Sequence, residues 1–126
     1  MGVFDTAEAN RLLDAAFSVA DYAGATTGNK LRLATSAPTD AAAGTEVTGG
    51  SYARQTLAMS AAAARSTSNS GTVAFTLMPV ATVTHVDIYN FGDTVRKAWG
   101  ALTTPRTTAS GDTLSFAPGS IVASFS

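Results

Sequence analysis

The chain has 126 residues, of which 13% are charged, and its formal net charge is −1 at pH 7. With no surplus of either charge, the composition argues against nucleic acid or an anionic membrane surface as a partner. The lack of cysteine excludes disulfide bonds and thiolate metal sites, and no stretch is both uncharged and apolar enough to span a membrane.

The first predicted element is a helix over "FDTAEANRLLDAAF", residues 4–17. Asp5 stands at the expected N-cap with Glu8 three residues later, the spacing of a capping box. These two acids also stand where a secretion signal would be basic or apolar, so we expect no export by the ordinary route. Helical spacing places one apolar stripe on the side that should pack on the domain or dock into a partner: Ala9, Leu12, Leu13, Ala16 and Phe17.

Two predicted loops follow, separated by one short strand. The first loop covers "DYAGATTGNK", residues 21–30, and the second covers "SAPTDAAAGTEV", residues 36–47. Between them "KLRLAT" predicts a strand with Leu31 and Leu33 on the same face. Loops of this length in a small domain usually carry function or move, so we expect them to contact neighbouring proteins.

The glycine pair Gly49-Gly50 raises the question of a ligand-binding loop. The pair is not followed by the further glycine of a dinucleotide-binding fingerprint, by the lysine of a phosphate-binding loop or by a clear helix. It therefore lacks the context of a nucleotide-binding motif. The next residues, "SYARQTLAM", alternate in the manner of a strand, with Tyr52, Arg54 and Thr56 on one face. We therefore interpret the pair as a turn that leads into a strand.

The second half of the chain predicts a series of short strands. "SAAAARSTSNSG" is interpreted as a loop, and strands are predicted in "TVAFTLMP", "ATVTHVDIYNFG" and "VRKAWGALT", then at 114–116 and 121–125. In the first of these strands Val73, Phe75 and Leu77 are expected to face inward. Short strands separated by regular turn signals predict a mainly β fold, a small antiparallel β-sandwich of immunoglobulin-like or jelly-roll-like type, with one N-terminal helix.

Candidate chemistry in this sequence is sparse. His85 and Asp87 project from the same face of a predicted strand, so a hydrolase using this pair is one hypothesis, although two solvated polar residues are the commoner arrangement. One histidine and scattered acids give no metal-ligand cluster. Tyr89, Phe91 and Trp99 could form a sugar-binding platform, but packing against the core or a sheet edge is the commoner role of such residues.

Several segments resemble small virion proteins of tailed phages, chiefly those that infect actinobacteria, which are usually labelled tail-fibre or minor tail proteins. The most specific of these are "GGSYAR" (49–54), "THV" (84–86) and "GDTL" (111–114), and the likeness extends from about residue 46 to the C-terminus. The initial "FDTAEANRLLDA" resembles the N-terminal helix of that family. Some small β domains of this kind act as capsid decoration proteins.

The resemblance implies a non-enzymatic virion structural protein with no catalytic, cofactor-binding or metal-binding residues. Decoration and stabilisation of the outer capsid surface through many weak contacts is the first hypothesis, and a tail-fibre or minor tail component that contacts host glycans is the second. The expected partners are the major capsid protein or tail proteins, with a homo-oligomer in the virion after synthesis in the host cytoplasm. We expect a single domain over 1–126, with a helix in 1–20, loops and a short strand in 21–45, and a β-sandwich in 46–126.

Overall fold

The computed structural model of the chain describes residues 3–17 and 28–124. Within these ranges the elements are β1 (Val3–Phe4), α1 (Thr6–Ala16), β2 (Asn29–Ala34), β3 (Gln55–Leu57), β4 (Ser66–Ser68), β5 (Val73–Met78), β6 (Ala81–Asn90), β7 (Arg96–Thr108), β8 (Asp112–Phe116) and β9 (Val122–Ser124). The predicted class is confirmed: the fold is mainly β, with antiparallel pairing and one N-terminal helix. Most of the predicted loop 21–30 lies outside the described residues.

The largest sheet has five strands in the order β1-β7-β6-β2-β3. Strands β4 and β9 form one two-stranded pair, and β5 and β8 form another. Side chains of the large sheet and of the β5–β8 pair meet in one hydrophobic core, which includes Leu33, Val86, Phe75 and Leu114. Phe75 packs between Tyr52, in a stacked arrangement, and Phe116, edge to face.

Helix α1 begins where it was predicted, but the capping arrangement and the packing face differ from the prediction. The side chain of Asp5 makes no cap hydrogen bond; instead Asp40 accepts the Thr6 backbone N–H at 2.9 Å and the Thr6 hydroxyl at 2.5 Å. Leu13 and Phe17 are 55% and 75% exposed, whereas Glu8 is buried. Pairing of β1 with β7 fixes the start of the helix. Of the predicted apolar stripe, Ala9 and Leu12 are half-buried, whereas Leu13, Ala16 and Phe17 are exposed.

Several strands differ in length from their predictions. Strand β3 begins at Gln55, three residues after Tyr52, and β7 continues to Thr108. Strands β1 and β4 were not predicted. The segment interpreted as a loop contains a hairpin in which Ala63 and Ser66 exchange two backbone hydrogen bonds of 2.9 Å around Ala64 and Arg65.

The glycine pair forms a turn, as predicted. Both residues have positive φ, +102° at Gly49 and +55° at Gly50, and the Tyr52 N–H donates to the Gly49 carbonyl. A Cβ atom at Gly50 would lie 2.8 Å from the Leu77 carbonyl oxygen, which leaves no room for a side chain. The pair therefore serves close packing of two backbones.

A β-bulge in β5 overturns the predicted inward position of Leu77. Val73 and Phe75 are buried as expected, but the register with β8 shifts between Phe75 and Met78. Because one residue is added on this strand, Met78 takes the inward position and Leu77 is 58% exposed, with a φ of +50°.

Candidate functional site

The face of the large sheet that lies opposite the core carries a set of buried charges. Alternation along β2 turns Leu31 and Leu33 toward the core and Arg32 to the other face, where Arg32 is the direct cross-strand neighbour of Asp87 on β6. Arg32 is 7% exposed and Asp87 is fully buried, and the Arg32 Nη1 atom donates to the Asp87 carboxylate. Asp87 is therefore not the solvated surface residue that the sequence indicated.

Arg96 joins this cluster from β7. Its Nη1 atom lies 3.8 Å from Asp87 Oδ1, and its Nε atom donates to both carboxylate oxygens of Asp5 at 3.1 and 3.0 Å. Arg32 Nε lies 3.3 Å from Glu46 Oε1. We call these five residues the outer-face charge cluster: Asp5, Arg32, Glu46, Asp87 and Arg96.

The two arginines of the cluster also bind the loop that the sequence predicted at residues 36–47. Arg96 donates to the carbonyls of Thr39 and Ala42, and Arg32 Nη2 donates to the Gly44 carbonyl at 2.6 Å. Gly44 is buried, and a Cβ atom there would lie 2.2 Å from the Ser36 carbonyl oxygen. The loop is thus held closely against the sheet, and it shields the charges beneath it from water.

The cluster continues to the surface through a second set of ion pairs. Glu46 accepts from Arg54 with both carboxylate oxygens, at 2.9 and 3.1 Å, and from the Tyr52 hydroxyl at 2.8 Å. Asp93 then bridges Arg54 and Lys30, each at 3.0 Å. Charged groups of both signs alternate, so the surface presents no field of one sign.

Burial and pairing move the pKa values of the acids in opposite directions. Burial raises the pKa of Asp87 and of Asp5 above the ordinary value, although hydrogen bonds from Arg32 and Arg96, respectively, act in the other direction. Partial burial also acts to raise the pKa of Glu46, but the hydrogen bonds from Arg54 and Tyr52 outweigh it and the pKa is lowered. The arrangement is that of a structural ion network.

The hypothetical His–Asp pair does not form in the described part of the chain. His85 and Asp87 are on one strand as predicted, but His85 Nδ1 lies 2.8 Å from the Thr84 hydroxyl, while Asp87 is bound by Arg32. A catalytic dyad requires the carboxylate to orient the imidazole. This geometry therefore gives no support to the hydrolase hypothesis.

Two of the three aromatic residues considered for a sugar platform have a cation over one ring face. The Arg54 guanidinium lies 4.7 Å from the Tyr89 ring centroid, and Lys30 Nζ lies 5.1 Å from that of Phe91. Trp99 is half-buried opposite Asp87. A stacking platform needs open ring faces, and cations cover one face of Tyr89 and of Phe91.

Residues 3–17 and 28–124 contain no group of three or more His, Asp or Glu side chains placed to hold a metal ion. In the same part of the chain no helix has the length and apolar character needed to cross a bilayer. The described residues do form an apolar groove of about 270 Å³ between α1, the large sheet and the β4–β9 pair.

Comparison with known proteins identifies the family. A family model described as "Podophage GP4 fiber I protein gp80" matches residues 3–124. The chain belongs to the gp80 fibre family. No curated protein matches it.

Membership of the gp80 fibre family supports a structural role in a phage virion, of the fibre type. This agrees with the coarser part of the resemblance seen in the sequence, a phage virion protein. The finer parts of that resemblance are an actinobacterial host and decoration of the capsid. Both stay predictions.

Sequence reasoning missed Arg32 and Arg96 as the centre of the charge cluster. The signal for Arg32 was only partial: the alternation of "LRL" places its side chain on the face opposite Leu31 and Leu33, but only the structure shows that a loop covers this face and buries the charge. Such a charge needs a buried partner. Arg96 gave no comparable signal, since its hydrogen-bond partners Asp5, Thr39 and Ala42 lie between 54 and 91 residues away in the sequence.

Proposed function

We propose that this protein is a non-enzymatic structural subunit of a phage tail fibre. The observation that carries the proposal is the match to the gp80 fibre family over residues 3–124, which spans nearly the whole chain. The geometry agrees with it, because the one histidine and the buried Asp87 are engaged in separate contacts that leave no reactive pair.

The family match favours the fibre over the capsid surface as the location, because a fibre protein gives the family its description. Capsid decoration remains the competing proposal from the sequence. In both cases the work of the protein is to bind other virion proteins, with a homo-oligomer as the expected form, and the near-zero net charge permits identical copies to pack closely. Contact with host glycans stays a prediction, and the covered rings of Tyr89 and Phe91 do not favour it at that place.

The test is to locate the protein on intact particles and on particles made without it. We expect antibody-gold labels on the tail fibres of the wild-type phage, and particles without the chain to have shortened or missing fibres around a complete capsid. Labels spread over the capsid shell would select decoration instead, and the absence of the protein from purified particles would contradict both locations.

A further inference from the structure

Strand β7 carries a large bulge where it runs beside β6. Val83 pairs with Arg106 and His85 pairs with Ala101, so two residue steps on β6 correspond to five on β7. The additional residues lie in segment 102–105, which ends at a proline, a residue that cannot donate to a strand ladder. Bulges redirect side chains and are common beside functional sites. This bulge forms one wall of a pocket of about 260 Å³.

The opposite wall of the pocket is the connection between β8 and β9, which a buried asparagine holds in place. Asn69 is 2% exposed; its Nδ2 atom donates to the Ala117 carbonyl at 3.0 Å, and its Oδ1 atom accepts from the Ile121 N–H at 2.9 Å. Ser120 lines the pocket between these two anchors, and its hydroxyl donates to the Ala117 carbonyl at 2.6 Å. The Ser120 oxygen can still accept a hydrogen bond. Because the wall is fixed in advance, ordering it costs a ligand little entropy.

We call the space between these walls the β7 pocket. Its base consists of apolar side chains that belong to the core or pack against it: Leu102, Phe116 and Ile121. A cavity of about 150 Å³ already admits a benzene-sized group, so the 260 Å³ of this pocket is enough for one six-membered ring. The base offers an apolar surface to one face of such a ring.

The rim of the β7 pocket carries polar groups that are not used elsewhere in the described residues. Within those residues, Arg106 makes no ion pair or side-chain hydrogen bond, and the Thr103 and Thr104 hydroxyls make no hydrogen bond. By contrast, each arginine of the outer-face charge cluster is bound to a carboxylate. The residues that line the pocket include no acid. The guanidinium of Arg106 is therefore available to a carboxylate, which an arginine fork matches with two parallel hydrogen bonds.

We propose that the β7 pocket binds a sugar ring that carries a carboxylate, as in a hexuronic acid residue of an acidic polysaccharide. The carboxylate pairs with Arg106, the ring hydroxyls bond to the hydroxyls of the rim, and a C–H face of the ring lies on the apolar base. A glutamate side chain of a protein partner would supply the carboxylate but no groups for the three hydroxyls of the rim. The lining thus favours an acidic saccharide over an acidic peptide.

This site deepens the proposed function, because contact between a fibre subunit and surface glycans rests on that function. The binding experiment and the location experiment can fail separately. Binding by the purified chain, together with its absence from the fibres of the phage, would contradict only the proposed function. A chain that is found in the fibres but binds no acidic sugar when purified would contradict only the pocket.

The first test is an NMR titration of the purified full chain with galacturonic acid, with galactose as the uncharged probe. We expect amide shifts around the β7 pocket for the acid alone, with a dissociation constant of about millimolar order. Arg106→Gln should weaken binding by about tenfold or more, because charge-assisted hydrogen bonds are lost. Arg65→Gln is the matched control and should bind like the wild type, since Arg65 is also exposed and unpaired in the described residues but does not line the pocket. No binding by the wild type, equal binding of galactose, or equal losses in the two variants would overturn the proposal.

A second test separates a saccharide from any other carboxylate. The N-methylamide of N-acetylglutamate presents one side-chain carboxylate and should bind about tenfold more weakly than galacturonic acid. Thr103→Val combined with Thr104→Val keeps the side-chain shapes but removes two hydroxyls, so it should weaken galacturonic acid binding by about threefold or more. Thr56→Val, at an exposed threonine of β3, is the control and should bind like the wild type. Equal affinity for the two ligands, or a double variant that binds like the wild type, would contradict the saccharide.

Discussion

At the scale of single residues, Asp87 determines how the outer face of the large sheet is held together. Its carboxylate is fully buried beside the guanidinium groups of Arg32 and Arg96, which are themselves 7% and 9% exposed. Removal of one partner from a buried ion pair leaves an uncompensated charge in the interior. The loop over this face depends on the same two arginines.

We therefore expect Asp87→Ala to lower the free energy of unfolding by about 3 kcal/mol, since the substitution leaves the buried Arg32 Nη1 donor without its acceptor and opens a cavity. The matched control is Asp93→Ala, which breaks two half-exposed ion pairs and should cost less than about 1 kcal/mol. Urea denaturation measures both values. Equal losses in the two variants would show that burial of Asp87 has no special role.

Glu46 should make the free energy of unfolding depend on pH. Its folded-state pKa is lowered from 4.5, so its contribution to stability is present above about pH 4.5 and is lost as the pH falls through the folded-state pKa. The pKa values of Asp5 and Asp87 are raised, so their effect on stability has the opposite pH dependence. Their contribution is present below about pH 3.8 and is lost as the pH rises through their folded-state pKa.

In Glu46→Gln, the free energy of unfolding should therefore fall less steeply between about pH 5 and pH 3 than in the wild type, because the variant has already lost this acid-sensitive contribution. The two stability curves should converge at the acid end. Asp14→Asn, which removes an exposed carboxyl on α1, is the control for the loss of one acid. Parallel curves for Glu46→Gln and the wild type would contradict the role assigned to Glu46.

At the scale of elements, the hairpin that leads into β4 contains a second place of backbone strain. Ala64 and Arg65 have φ values of +50° and +62°, as in a type I′ turn, which favours Asn-Gly. Replacing the pair with Asn-Gly should raise the free energy of unfolding by about 1 kcal/mol. Ala63→Gly, one residue before the turn, should lower it by about 0.5–1 kcal/mol. No gain in thermal stability from Asn-Gly would argue against this turn.

Much of the secondary structure could be predicted because the longer strands have a clear period. Strands β5, β6 and β8 follow the alternation of apolar residues, and α1 begins at the expected N-cap. Strands β1 and β4 have two and three residues, too few to show any period. The inward position expected for Leu77 was wrong because a bulge adds one residue, and no local pattern indicated that bulge.

The arrangement of the outer face could not be predicted for a different reason. The partners of its charges lie far apart in sequence: Arg32 and Asp87 are separated by 55 residues, and Arg96 and Asp5 by 91. Only the pairing of β2 with β6, and of β1 with β7, brings them together. Sequence periodicity assigns a residue to a face of a sheet, but it gives no information about the neighbours across that face.

At the scale of the whole molecule, the described residues form a domain with a buried core, and they also carry exposed apolar side chains. The core and the outer-face charge cluster fix the fold, while Leu77 and Val80 remain in solvent. A protein that works by binding its neighbours needs this combination, because rigid anchors lose little entropy when they bind. This surface agrees with the proposed function, a structural subunit of a phage fibre.

The most direct test of that account is a cryo-electron microscopy reconstruction of the intact virion at a resolution that shows side chains. We predict density for this fold in the tail fibre, with the loop over the outer face closed. Density for the fold on the capsid surface, or a fibre in which no copy of the chain can be placed, would contradict it.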